Sequence, residues 1–224
     1  MLEALLSLDQ HLLLFFNGFH TPYWDSFMWI FTAKMTWIPM YAAILFVICK
    51  NLHLTVSLLT VIAIALTILY ADQLCATLIR PLVERMRPSN PNNPVSEYIH
   101  LVNGKRGGRY GFPSCHAANS FGLAFFVMLA FKNRLLTLFI LLWASLNSYS
   151  RVYIGVHYPG DLFVGMLVGL SGAVIMYKLY QYALRRFIKN DIHPCYPMRY
   201  CWVIILTGCL TILLIALHPA YYPD

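Results

Sequence analysis

The sequence predicts an all-α, polytopic integral membrane protein, with six transmembrane helices preceded by an N-terminal amphipathic interfacial helix. Three observations predict it. Hydrophobic residues make up 59% of the chain and charged residues 11%, against about 45–50% and about 25% in ordinary soluble domains. Mean hydropathy is +0.62. The apolar residues fall in continuous runs rather than short alternating segments, which favours helices over a β-barrel. These features exclude a disordered chain, a coiled coil and a typical water-soluble enzyme. Once the spans are subtracted, 224 residues leave no room for a large extramembrane domain. The chain therefore reads as one membrane-embedded domain, 1–224.

The elements follow in order. In the first twenty residues, Leu2, Leu5, Leu6, Leu12, Leu13, Phe16 and Phe19 are apolar, while Glu3, Ser7, Gln10 and Asn17 recur on another face. That pattern predicts a helix lying in the membrane interface. No lysine or arginine precedes Lys34, so the segment lacks the basic n-region of a secretory signal. A span needs about 20 mostly apolar residues. Six runs approach that length: Phe27–Cys49, Leu54–Leu78, Ser114–Phe131, Leu135–Tyr149, Leu162–Tyr180 and Trp202–Leu217. The fourth is short and polar at its end (Asn147, Ser148, Tyr149), so it is expected to be tilted or partly buried.

Six spans put both termini on one face, together with the 80–112 loop and the 150–160 loop. The other face carries Lys50, Lys132, Arg134, Lys178, Arg185, Arg186, Lys189 and Arg199. The terminal face carries most of the acids, including Glu3, Asp9, Asp25, Glu84, Glu97, Asp161 and Asp224. The positive-inside rule then makes this basic face cytoplasmic and turns the termini outward. In a two-membrane bacterium this is an inner-membrane protein with its termini in the periplasm. The net charge of +7 reads as topology and anionic lipid rather than nucleic acid. Cys49, Cys75, Cys115, Cys195, Cys201 and Cys209 contain no C-x-x-C pair, which argues against a zinc site or a disulfide framework.

Three segments on the outward face carry chemistry. They are Arg80-Pro81-Leu82-Val83-Glu84-Arg85-Met86-Arg87-Pro88, Gly111-Phe112-Pro113-Ser114-Cys115-His116, and Ser150-Arg151 followed by His157 and Asp161. Pro159 is placed to start the fifth span, which sets Asp161 in its first turn within reach of His157. A carboxylate beside a histidine fixes its tautomer and raises its basicity. Ser114 is a natural N-cap, and a helix N-terminus is an anion site. His116 beside it suits a general acid. Arginine forks match phosphate oxygens, so Arg80, Arg87 and Arg151 with two histidines on one membrane face suit phosphoryl transfer. The remaining histidines, His11, His20, His53, His100, His193 and His218, read as structural. The basic stretch Lys105–Arg109 reads equally as a headgroup-recruiting patch or as a solvated loop near anionic lipid.

The set Arg80-x6-Arg87-Pro88, Pro113-Ser114-x-His116 and Ser150-Arg151-x5-His157-x3-Asp161 resembles the three-part signature of the type 2 phosphatidic acid phosphatase superfamily. The resemblance covers residues 80–161. It implies that His157 attacks phosphorus to form a phosphohistidine, that Asp161 orients it, and that His116 protonates the leaving lipid oxygen and then activates water. It implies that Arg80, Arg87, Arg151, Ser114 and the Cys115 region hold the phosphate oxygens, with no metal or cofactor. Two positions depart from the pattern: Arg80 stands where lysine is usual, and Cys115 where glycine is usual. Cys115 is not expected to be a nucleophile, because position 121 of a Cys-x5-Arg motif is Phe121.

The substrate implied is a membrane lipid phosphate or diphosphate: undecaprenyl diphosphate, phosphatidylglycerophosphate, phosphatidic acid or a lipid A phosphate. Two other functions share the residues. One is a lipid phosphotransferase using the same phosphohistidine. The other is a non-catalytic lipid-binding or transport protein. A facial metal triad of His116, His157 and Asp161 is the other chemical use of the cluster.

Overall fold

A computed structural model describes residues 2–188 and 198–218. Lys189, His193, Cys195 and Asp224 lie outside them. The described residues are mostly helical and contain no strand, with one isolated bridge between Met86 and Tyr110 in the long loop. The helices are α1 (Leu2–Asn17), α2 (Pro22–Phe31), α3 (Ile38–Asn51), α4 (Leu54–Gln73), α5 (Arg80–Val83), α6 (Cys115–Phe131), α7 (Arg134–Tyr153), α8 (Pro159–Phe187) and α9 (Cys201–Leu217).

The span count differs from six. Among the described residues, the α4–α5 rod, α7 and α8 are each long and apolar enough to cross a membrane. A bent pair, α2 with Lys34–Asn51, makes a fourth if it counts as one span. The apolar helices α6 and α9 are 17 residues each, below that length.

The expected first span, Phe27–Cys49, is broken into two helices inclined at 66°. The run passes through Thr32, Lys34 and Thr36, and Pro39 has no N–H to continue a helix across them. The last carbonyls of α2 find side-chain donors instead. Thr36 Oγ1 donates to Ile30 O at 2.7 Å and Trp37 Nε1 to Phe31 O at 2.8 Å, satisfying groups a helix end leaves open. The second span runs past Leu78 to Val83 through a π-helical turn, Leu74–Ile79. That widening lies in the turn before Pro81, whose missing N–H cannot close the ladder. The fourth run is a full 20-residue helix, α7, and about half buried. The fifth starts at Pro159, as expected, and continues to Phe187.

Helices α6 and α8 form the centre. Gly165 and Gly169 of α8 meet the backbone of Ser114, Ala118 and Gly122 on α6, and Gly172 meets Tyr70 of α4. This small-residue stripe permits the close backbone approach that membrane helices use in place of a hydrophobic drive.

The N-terminal segment is helical; of its polar residues Glu3, Ser7 and Gln10 are exposed, while Asn17 turns into the bundle. Asn17 is buried, and its Nδ2 donates to Tyr153 O at 2.7 Å and His100 O at 3.0 Å while Oδ1 accepts from His100 N. Leu2, Leu5, Leu8, Phe15 and Phe19 are exposed too, so much of the apolar surface of α1 also lies uncovered.

Candidate active site

Each segment is brought to the site by a helix end. Arg80 begins α5, just after the π-helical turn, and Arg87 follows the left-handed Glu84, which turns the chain back over the bundle. Ser114 caps α6, its Oγ accepting from Ala117 N at 3.3 Å. Arg151 sits in the last turn of α7. His157 lies in the 154–158 loop and Asp161 in the first turn of α8. Gly155 makes that loop possible at φ +78, where a Cβ would stand 2.8 Å from His100 O.

His157 and Asp161 are almost fully buried and face one another, Nδ1 to Oδ2, at 3.2 Å. Arg87 Nη1 lies 2.7 Å from His157 Nε2. A guanidinium only donates, so Nε2 must present its lone pair and Nδ1 must carry the proton toward Asp161. The ring is therefore in the tautomer a nucleophile at Nε2 requires. Burial, then the charges of Arg87, Arg151 and Arg80, hold its basicity well below the ordinary histidine range. Arg87 is itself pushed below its usual value by burial and by Arg80.

The carboxylate is fixed at both oxygens. Asp161 Oδ2 also accepts from Tyr158 N at 3.1 Å, and Oδ1 accepts from Arg85 Nη1 at 3.0 Å. Arg80 Nη2 donates to Pro113 O at 3.0 Å and to Cys115 Sγ at 2.9 Å. Arg151 Nη1 donates to Thr32 Oγ1 at 3.1 Å. The Nε–H groups of Arg80, Arg87 and Arg151 are buried without a hydrogen-bond partner. Three crowded cations with open donors form a site for a multiply charged anion.

His116 Nε2 lies 3.2 Å from Asn147 Oδ1, and Asn147 Nδ2 donates to Ser120 Oγ at 2.8 Å. His116 also lines a cavity of about 390 Å³ between α3, α4, α6 and α7. Thr32, Lys34, Asn119, Ser120 and Asn147 make one part of its wall polar, and isoleucines, leucines, Trp37 and Trp143 make the rest apolar.

The structure thus brings Arg80, Arg87, Cys115, His116, Arg151, His157 and Asp161 to one face. Ser114 is adjusted: its amide is committed to Asp161 O at 3.0 Å and its hydroxyl to the cap. The open N–H groups at this helix start belong to Cys115 and His116. Arg106 is tied to Ser89 O at 2.7 Å, and Lys105 lies over the Trp29 ring, so this part of the basic stretch is folded against the protein. Among the described residues no three His, Cys, Asp or Glu side chains are grouped to hold a metal ion.

The sequence reading missed Asp9, Thr32, Arg85 and Asn147. Arg85 stood in view between two motif arginines. Asp9 and Thr32 offered no local signal, because their partners are far along the chain.

An all-helical bundle with this cation cluster around a buried His–Asp couple defines a class. The model of the PAP2 superfamily matches residues 54–185, and the chain belongs to that superfamily. It is 51% identical over 214 residues to a lipid A 4'-phosphatase of Bacteroides thetaiotaomicron, covering 95% of each chain. It is 37% identical over 196 residues to a lipid A 4'-phosphatase of Porphyromonas gingivalis, covering 88% of this chain and 82% of that one. The crystal structure of Aquifex aeolicus LpxE is similar to it with a TM-score of 0.58 and 25% identity, over 75% of this chain and 93% of that one.

Proposed function

We propose that the chain is a lipid phosphatase that removes the 4'-phosphate of lipid A through a phosphohistidine on His157. The observation that carries the chemistry is the unpaired Nε–H of each of Arg80, Arg87 and Arg151 around a histidine whose Nε2 lone pair faces the same space. The choice of lipid rests on the two lipid A 4'-phosphatases it resembles over most of their length.

In this reading the phosphate draws the Arg87 fork from His157 Nε2 onto its own oxygens. Nε2 then attacks phosphorus and the bond to the lipid oxygen breaks. Asp161 holds the Nδ1 proton and offsets the charge that develops on the ring. His116 gives a proton to the departing sugar oxygen. It then takes one from the water that cleaves the P–N bond and releases inorganic phosphate. The cavity beside His116 lies on the leaving-group side, where a polar headgroup and an apolar tail both need a wall.

The single domain 1–224 belongs to the proposal. In this reading the site faces the periplasm from the inner membrane, an orientation that the charge distribution supports.

The test is phosphate release from lipid A by purified protein in detergent, with the lipid product weighed by mass spectrometry. Wild-type protein is expected to remove one phosphate and keep doing so in EDTA. His157→Ala is expected to lose at least about a thousandfold, the scale of nucleophile removal. Release unaffected in the variant would exclude the phosphohistidine. Loss in EDTA that added metal restores would exclude metal-independent chemistry. Phosphate appearing on an acceptor lipid in place of solution would establish the phosphotransferase.

A further inference from the structure

We propose that Asp9, on the N-terminal helix, is a positioning residue for the His157–Asp161 couple, acting through Arg85. The inference rests on the catalytic reading above, but Asp9 lies outside all three motif segments and outside the matched residues 54–185.

A single Arg85 nitrogen serves two carboxylates. Nη1 is 2.7 Å from Asp9 Oδ2 and 3.0 Å from Asp161 Oδ1. The guanidinium carbon also lies over the Tyr158 ring, 3.9 Å from its centre. The second oxygen of Asp9 accepts from Gly160 N at 2.7 Å, so the same side chain fixes the first turn of α8. At its other end α1 is fastened by Asn17 to the carbonyls of Tyr153 and His100. Helix α1 therefore straddles the 154–158 loop and grips both of its ends.

Charge explains why Asp9 matters to the reaction. Arg85 shared between two acids leaves Asp161 Oδ2 turned to His157 Nδ1. Without Asp9 the arginine is free to take Asp161 as a two-pronged pair, the geometry it prefers. That rotates the carboxylate and weakens its bond to the ring. The nucleophile then loses its tautomer control, while the phosphate-binding arginines stay in place.

The experiment compares Asp9→Ala, Asp9→Asn and Asp9→Glu with wild type in lipid A phosphate release and thermal melting. Asp9→Ala is expected to lower kcat by at least about tenfold with KM within about twofold, the pattern of a lost transition-state interaction. Asp9→Asn keeps an acceptor for Gly160 but no charge for Arg85, so its kcat falls less. Asp9→Glu recovers most of the rate. Unchanged kcat in Asp9→Ala overturns the proposal. So does a joint loss of kcat, KM and melting temperature that Asp9→Glu does not repair, because that is a structural role. A second readout does not depend on turnover: nitrogen-15 NMR of labelled histidine, with His157→Gln identifying the His157 signal. Wild type is expected to show the Nδ1–H tautomer and Asp9→Ala a mixture. An unchanged tautomer overturns the proposal even if lipid A proves not to be the substrate. Inactive wild type would overturn the lipid A reading alone.

Discussion

In the proposed mechanism Arg87 is both a phosphate ligand and a proton guard. Burial, then Arg87 with its Nη1 on Nε2 and the charges of Arg151 and Arg80, hold the basicity of His157 well below the ordinary range. The unfolded chain has an ordinary histidine with a pKa of about 6.5. Below that pH the unfolded state binds a proton that the folded state refuses, so stability is lost as pH falls. The apparent melting temperature of wild type in detergent should therefore drop more between about pH 7 and about pH 5 than that of His157→Gln. Equal drops would mean that the buried ring is not held neutral. Arg80 and Cys115 make a second test. The thiol accepts one Arg80 donor at 2.9 Å, and Cys75 packs beside it. Replacing Cys115 by alanine should leave phosphate release within about threefold, while Arg80→Ala should lose about a hundredfold, the usual cost of one transition-state donor. Abolished activity in Cys115→Ala would make the thiol part of the chemistry.

Much of the site was legible because phosphoryl transfer demands residue types that are rare at a membrane boundary. Arg80, Arg87, Arg151, His116, His157 and Asp161 announced themselves by type and spacing. The Asp9–Arg85–Asp161 relay did not, since the Asp9–Gly160 contact joins positions 151 residues apart. At the element scale the apolar runs located the helices but not their breaks. Thr32, Lys34 and Pro39 lie inside an otherwise apolar run, and only packing decides whether such a run bends. The break brings Thr32 to Arg151 and puts Lys34 in the wall of the cavity. The glycine stripe of α8, Gly165-x3-Gly169, gains its meaning only from what packs on it. Any side chain at Gly169 would press on Ala118 O and Gly122 N. Gly169→Val should cost roughly 1–3 kcal/mol by overpacking, seen as a lower melting temperature with phosphate release falling alongside. A variant that melts like wild type would show that α6 and α8 have room to part.

For the molecule as a whole, orientation joins the site to its substrate. The cation cluster at one end of the bundle consists of arginines held on histidine, cysteine, threonine and backbone partners. These bases are retained for an anion and should be discounted when charge is read as topology. What remains is a basic opposite end, with Lys50, Lys132, Arg134, Lys178, Arg185, Arg186 and Arg199, against an end where Asp9 and Asp161 share Arg85 while Asp25 and Asp161 face the rings of His100 and His157. That asymmetry predicts the site outside and the α3–α4 and α6–α7 turns in the cytoplasm. The exposed leucines and phenylalanines of α1 then lie along the outer leaflet, beside the headgroups the site would process. Single cysteines can test this after Cys195 and the thiols exposed among the described residues, Cys49 and Cys209, are replaced by serine. Asn92→Cys is on the exposed 80–112 loop and His53→Cys on the α3–α4 turn. A membrane-impermeant maleimide added to intact spheroplasts should label position 92 at once and position 53 only after lysis. The reverse pattern would turn the active site to the cytoplasm, where it would meet lipid A before export rather than after.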